Sequence, residues 1–468
     1  MKFAPRLKLL VIVTFLVFFA CFFLAGTRSG AQQKQPPVHP PSSFMSVIEE
    51  PFDTVRARDK ANKSRVMAAH MKLLEERYDL TRRVDPNVKM TRGKPIPVGP
   101  TARLKRGMTF EQLSKMPPDE IRTGDLFPYL PLPHVNHPVG GMVFPQVHIK
   151  QQPRLERFDM DFDLPDQFLP EFPPAMFLTT RSDLGDVSQG KLVTNENFYE
   201  LFNGILNPKQ LDGLRLLVTQ FPQQQFNATA DRKTERDDGM RGVSCFDCHV
   251  NGHTNGAMHL AGDIRPQENR RRIETPSLRG VNIQRLFGSQ RALKTVEDFT
   301  EFEQRAAYFD GDPVMATKKG LNILDRGSQV HDMAEFQELL DFPPAPKLNL
   351  FGRLDRKKAT DSEARGEDLF FGRANCAACH TPPFYTDNLM HDLKVERFYR
   401  PRMEGGMMIT AQGPIKTFPL RGIKESPPYL HDGRLLTLED TVEFFNLVFE
   451  LDMTKPEKAD LVAFLRVL

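Results

Sequence analysis

No tryptophan occurs anywhere in the 468 residues, so no role that needs an indole can be assigned to this chain. Cysteine is nearly as scarce. Of five cysteines, Cys21 lies in an N-terminal apolar run and the other four fall into two short motifs, which leaves none for a disulfide. No stripe of basic residues provides the electrostatic footprint of a nucleic-acid partner, and none is expected. Long apolar runs are also missing apart from residues 9–25, broken only by Thr14, so a membrane partner is expected only through that segment.

Residues 1–31 read as an export signal. Lys2, Arg6 and Lys8 precede the apolar run, and Ser29 and Ala31 place small residues ahead of a cleavage point before Gln32. At 17 residues the run also suits an uncleaved N-terminal anchor, and both outcomes stay open. Phe18-Phe19-Ala20 is a poor lipobox for Cys21. Either outcome puts the rest of the chain outside the cytoplasm, with a periplasmic location expected. Without this segment the chain carries 59 basic and 60 acidic residues, a balance that selects no partner by charge.

The four remaining cysteines form Cys245-Phe246-Asp247-Cys248-His249 and Cys376-Ala377-Ala378-Cys379-His380. C-x-x-C-H is the attachment pattern of c-type haem. Cysteines three apart share one face of a helical turn and can both reach the porphyrin vinyl groups. The adjoining histidine, His249 or His380, is then held against the iron as an axial ligand. A Cys/His zinc site or a redox C-x-x-C is the competing reading. Two covalently bound c-type haems are expected.

The rest of the chain divides by composition. Residues 32–45 are a Gln/Pro/Ser tether, and residues 46–194 combine one helix with a Pro-rich wrap. That helix is predicted over residues 53–80, which hold no Gly or Pro and mix charges with Val66, Met67, Met71, Leu73 and Leu74. Residues 95–174 contain 15 prolines interleaved with Phe, Leu and Met, as irregular chain packed on a surface would. Histidines 134, 137 and 148 in this region have no assigned role. Helix is expected again near residues 195–206 and 208–219. Residues 195–345 form a first haem module and residues 346–468 a second, divided near Phe342-Pro343-Pro344-Ala345-Pro346.

The two modules are diverged copies. Thr275-Pro276-Ser277-Leu278-Arg279-Gly280 in one answers Thr417-Phe418-Pro419-Leu420-Arg421-Gly422 in the other. Thr295-Val296-Glu297-Asp298-Phe299 answers Thr437-Leu438-Glu439-Asp440-Thr441 at the same offset of 142. Arg279 and Arg421 therefore occupy equivalent places, where a guanidinium forks onto a haem propionate or caps a helix end. In the second module, residues 365–371 lead as a helix into the haem motif, and Thr454-Lys455-Pro456-Glu457 opens the last helix as a capping box. Two helices crossing beside a haem is the architecture of class I cytochromes c. The expected fold is mainly α, with two such modules in tandem behind an irregular Pro-rich N-terminal region.

These stretches resemble the bacterial di-haem cytochrome c peroxidases and their MauG-like relatives. The resemblance rests on Gly366-Glu367-Asp368-Leu369-Phe370 ahead of Cys376, on residues 417–422, on Tyr429-Leu430-His431-Asp432-Gly433, and on the final helix. It covers about residues 195–468. It implies that the first haem reacts with peroxide and that the second relays electrons from a donor protein, expected to be a small cytochrome.

Two departures from that pattern stand out. The family places a tryptophan between the haems, and Phe287 is the residue nearest that place; phenylalanine is much harder to oxidise. The family's distal ligand to the second haem lies fourteen residues after the histidine of the His-Asp-Gly triplet, where this chain has Phe445. A distal ligand would then come from Met403, Met407, Met408 or Met453, with Met407 and Met408, on a Gly-flanked loop, preferred. For the first haem, the resemblance points to a histidine in the loop after the motif. His259, flanked by Gly256 and Gly262, is preferred over His253. Peroxide cleavage needs an acid/base near the open iron. Glu303 is the first candidate, ahead of Glu301, Gln304, Asp310 and Asp312, because it aligns with Phe445.

Three functions fit. The first is an exported oxidoreductase that reduces hydrogen peroxide with electrons from a small donor protein. The second is a non-catalytic di-haem electron carrier. The third is MauG-like oxidation of a partner protein.

Overall fold

The computed structural model describes residues 52–132, 142–155, 164–220, 244–259, 273–309, 324–404, 407–409 and 411–468. The export segment with Cys21, the tether, His134, His137, Gly262, Asp310 and Asp312 lie outside the described residues, as do the side chains of His259, Gln304, Met407 and Met408. The described chain is rich in helix, with only short strands of two to six residues. None of its described helices is long and apolar enough to cross a membrane.

The predicted N-terminal helix runs from Phe52 to Arg77. It buries Val66, His70, Leu73 and Leu74, the spacing of one helical face. The helix expected at residues 195–206 is shorter than predicted and spans Phe198–Phe202. The next opens on an Asn207 capping box, with Pro208 in its first turn, and runs Pro208–Val218.

Two helix crossings organise the core, and each is set by one glycine. Helix Asp361–Phe371 crosses helix Lys455–Leu465 at Gly366. A Cβ there would sit 2.0 Å from the Asp460 carbonyl oxygen, so only a bare Cα lets the backbones meet. Helix Pro208–Val218 crosses helix His331–Gln337 in the same way, with Gly213 1.9 Å by the same measure from the Asp332 oxygen. Phe464 packs on Phe370 in one crossing, with ring centroids 5.3 Å apart, and Phe336 packs on Phe246 in the other at 6.2 Å.

The offset of 142 holds in three dimensions. Phe287 exchanges backbone hydrogen bonds with Leu293, and Tyr429 does the same with Leu435. Gly280 and Gly422 both adopt left-handed backbone, with φ of 70° and 72°. Thr295 Oγ1 accepts from the Asp298 amide, and Thr437 Oγ1 from the Asp440 amide. These threonines open helices Val296–Phe309 and Leu438–Val448.

The Pro-rich stretch contributes to the interior. Leu126, Phe127, Tyr129 and Leu130 lie in one hydrophobic cluster with Phe370, Phe444, Leu461 and Phe464. Buried polar bonds hold the same stretch. Arg434, wholly buried, pairs with Asp432 at 2.8 Å and donates to the Tyr129 carbonyl oxygen, while the Leu132 amide donates to Asp432. Tyr78 Oη donates to the Arg434 carbonyl oxygen.

Candidate functional site

The first motif forms one helical turn, Cys245–Cys248, capped by Ser244. Both cysteines are unoxidised and part-buried. His249 Nδ1 lies 2.9 Å from the Pro276 carbonyl oxygen. A carbonyl only accepts, so Nδ1 carries the proton and the ring's lone pair is on Nε2, the tautomer a metal ligand needs. The second motif repeats the arrangement from different local structure. A single 3-10 turn, Cys376–Ala378, follows Asn375 in left-handed backbone, and His380 Nδ1 lies 2.9 Å from the Tyr385 carbonyl oxygen.

Burial first, then the charge of Glu303, pushes Cys245 up to about 12. Burial alone leads for Cys376, also pushed to about 12, and the thiols of Cys248 and Cys379 are raised as well. Cys379, Asp387 and His391 cluster closely enough to hold an ion. His391 Nε2, however, is already 2.7 Å from Asp387.

Glu303 lies part-buried on helix Val296–Phe309, within electrostatic reach of both cysteines of the first motif. His259 is placed by its backbone in a two-residue strand, pairing with Met142 on one side and Ile273 on the other, rather than in an open loop. His253 uses both ring nitrogens, Nδ1 2.8 Å from Ser277 Oγ and Nε2 3.0 Å from the Glu425 carbonyl oxygen, which commits it to structure. His148, from the N-terminal region, comes against Asn255. Its Nδ1 accepts from Asn255 at 2.8 Å and its ring packs on Phe172.

Arg279 is buried and pairs with Glu425 at 2.8 Å while donating to the Ala175 carbonyl oxygen. Its buried Nε has no partner among the described residues, a donor that a propionate would satisfy. Arg421 donates to the Leu468 and Pro343 carbonyl oxygens, so it holds a helix end. Of the four methionines, Met403 is 60% exposed in strand Arg402–Glu404, and Met453 is buried in the cluster against which Cys376 packs. Met407 and Met408 lie in the strand Met407–Ile409, which pairs with Arg402–Glu404.

Sequence reasoning missed two features. The glycine-mediated crossing in the first module was legible in Asp332-x-x-x-Phe336 against Asp460-x-x-x-Phe464. Glu425, which joins Arg279, His253 and both the amide and hydroxyl of Thr91, carried no signal.

Acid should loosen this centre. Burial holds His148 and His253 down at about 3, against an ordinary value of 6.5. The unfolded chain therefore binds more protons than the folded one between those limits, and stability must fall as pH falls from about 6.5 toward 3. Urea titrations across that window should show it, and His148→Gln with His253→Gln should flatten the slope. An unchanged slope in the double variant would place the acid sensitivity elsewhere.

Twice, a pair of cysteines on or beside a single turn adjoins a histidine fixed through Nδ1, which is the set of residues that a c-type haem attachment site would need. No protein-family model matches it. The chain is 32% identical over 156 residues to the methylamine utilization protein MauG of Methylorubrum extorquens, covering 29% of this chain and 42% of that one. It is 29% identical over 143 residues to the cytochrome c551 peroxidase of Nitrosomonas europaea, again 29% and 42%. The chain thus spans about two fifths of the length of these relatives. Among solved structures, a MauG-like protein associated with microbial copper homeostasis aligns over 48% of this chain and 82% of its own at 21% identity and TM-score 0.37. The diheme peroxidase BthA from Burkholderia thailandensis aligns over 56% and 86% at 17% identity and TM-score 0.35. Over the matched stretch this chain is similar to MauG and the di-haem cytochrome c peroxidases.

Proposed function

We propose that this protein is an exported di-haem oxidoreductase that reduces hydrogen peroxide with electrons from a small donor protein. The observation that carries the reading is the pair of motif histidines, each fixed in the ligand tautomer by a backbone carbonyl. A c-type haem bound at each motif supplies a redox-active iron. Cys245, Cys248, Cys376 and Cys379 anchor the two groups, and the Pro276 and Tyr385 carbonyls orient the histidines. Glu303, within electrostatic reach of both cysteines of the first motif, would move the proton that peroxide cleavage requires. Met407 or Met408 would supply the distal contact of the second site, with Met453, buried among the described residues, as the alternative. Residues 195–345 and 346–468 act as the two haem modules, with residues 46–194 covering them.

A second reading, oxidation of a partner protein in the manner of MauG, is favoured by the 32% identity to that relative. The two differ in what is consumed: peroxide and reduced donor in one, peroxide and a partner side chain in the other.

Replacing His249 or His380 with alanine should each disturb one haem's optical spectrum and leave the other; unchanged spectra would refute the ligand assignment. Low-temperature EPR of the oxidised and then half-reduced protein tests the function. A high-spin ferric signal in either state marks an iron open to peroxide. Two haems that stay low-spin in both states would make the protein an electron carrier.

A further inference from the structure

A chain without tryptophan that handles a strong oxidant has tyrosine as its oxidisable aromatic side chain. Among the described residues five tyrosines are buried: Tyr78, Tyr129, Tyr385, Tyr399 and Tyr429. Their surroundings differ in what can happen to the phenolic proton. A one-electron-oxidised phenol is a strong acid, so oxidation is practical only where a base stands ready to take that proton. Tyr78 and Tyr385 donate to backbone carbonyls, which cannot keep a proton. Tyr429 Oη has no partner among the described residues. Tyr129 is different: its hydroxyl donates to a carboxylate, Asp440 Oδ1, at 3.1 Å.

That carboxylate is held by the fold. Asp440 accepts from the Thr101 amide at 2.8 Å, from Thr101 Oγ1 at 2.6 Å and from Thr437 Oγ1 at 3.1 Å. Both partners are wholly buried, so water does not compete for the phenol. Burial also raises Asp440 above the ordinary carboxylate range, which makes it a better base, while the Thr101 and Thr437 bonds act in the opposite sense. Tyr129 is wired into the second module by rings: it lies 6.0 Å from Phe444, itself 5.2 Å from Phe445. Phe445 stands where the relatives' pattern puts a distal ligand. Tyr129 itself belongs to the N-terminal region that this pattern does not cover.

We propose that Tyr129 and Asp440 form a redox-active pair that the N-terminal region adds to the second haem module. The proposal rests on the di-haem reading above. In the step, the Tyr129 O–H bond breaks, its proton passes to Asp440 Oδ1, and its electron leaves toward the second site. Reducing hydrogen peroxide to two waters takes two electrons and two solvent protons. When no donor protein is present, Tyr129 gives one of these electrons and the haem pair gives the other. The pair then stores one oxidising equivalent in a dry interior, on a residue that can be re-reduced when a donor arrives.

Freeze-quench EPR of the full-length di-haem protein, labelled with ring-deuterated tyrosine or unlabelled, provides the test. Peroxide added without donor should give an organic-radical signal that narrows with the label. Tyr129→Phe and Asp440→Asn should each lose the signal, and Tyr78→Phe should keep it. A radical that persists in Tyr129→Phe, or that ignores the label, overturns the proposal. Flash-generated ruthenium(III) tris-bipyridine, a one-electron oxidant, repeats the experiment without peroxide. If peroxide leaves the haem spectrum unchanged, the peroxidase reading fails, and the ruthenium arm still decides whether Tyr129 is the radical site. A folding defect in Asp440→Asn, seen by circular dichroism, leaves the labelled wild-type and Tyr129→Phe results to decide.

Discussion

Gly366→Val should cost about 3 kcal/mol or more of stability, at or above the upper end of ordinary overpacking. The reason is the partner atom. A Cβ at Gly366 meets the Asp460 carbonyl oxygen at 2.0 Å and the Phe464 Cβ at 2.8 Å. Neither is the end of a flexible side chain, so the helices Asp361–Phe371 and Lys455–Leu465 must separate. Separation exposes Phe370, Leu461 and Phe464, which are buried at this crossing. The urea midpoint followed by far-ultraviolet circular dichroism is the right measurement, because the chain has no tryptophan to report by fluorescence. Gly213→Val should behave alike at the other crossing. A midpoint within error of wild type would mean that the helices do not meet at Gly366.

Arg279→Met should be of similar size for an electrostatic reason. Arg279 and Glu425 are 3% and 4% exposed, and removing one partner strands the other's charge in the interior. Breaking a buried pair this way costs about 3–5 kcal/mol, whereas replacing both partners with apolar residues is often neutral. The double variant Arg279→Met with Glu425→Met should therefore recover most of the loss. Acid gives a second readout. Burial pushes the Glu425 carboxyl up, but Arg279 and Thr91 pull it further down, below its ordinary value of 4.5. A depressed carboxyl contributes stability that is present above the unfolded value and lost as pH falls through the folded one. Arg279→Met should remove that component, and a single variant as stable as the double would refute the pairing.

Legibility in the sequence followed how locally each feature is encoded. The haem motifs, the Thr454 capping box and the offset of 142 between Arg279 and Arg421 are runs of adjacent residues, and the structure keeps them. The first module's helix crossing was harder to see because the copies have diverged in loop length. Gly213 and Gly366 lie 153 positions apart, Cys245 and Cys376 lie 131, and Asp332 and Asp460 lie 128, so no single register aligns them. The preference for Met407 and Met408 came from neighbouring glycines, and their backbone lies in the strand Met407–Ile409. Glu425 reads as an ordinary charge on a short turn. Its burial comes from Arg279, His253 and Thr91, residues 146, 172 and 334 positions away.

Asp440 accepts hydrogen bonds from Thr101 across 339 positions, and Asp432 accepts one from Leu132 across 300. During synthesis the Pro-rich stretch therefore emerges hundreds of residues before the groups that satisfy it. Closing loops of this length is a slow event, because their entropy is lost before any contact rewards it. Until the last few dozen residues have followed, Leu126, Phe127, Tyr129 and Leu130 have no interior to enter. The newborn chain is thus exposed to aggregation at its front end and completed from its back end.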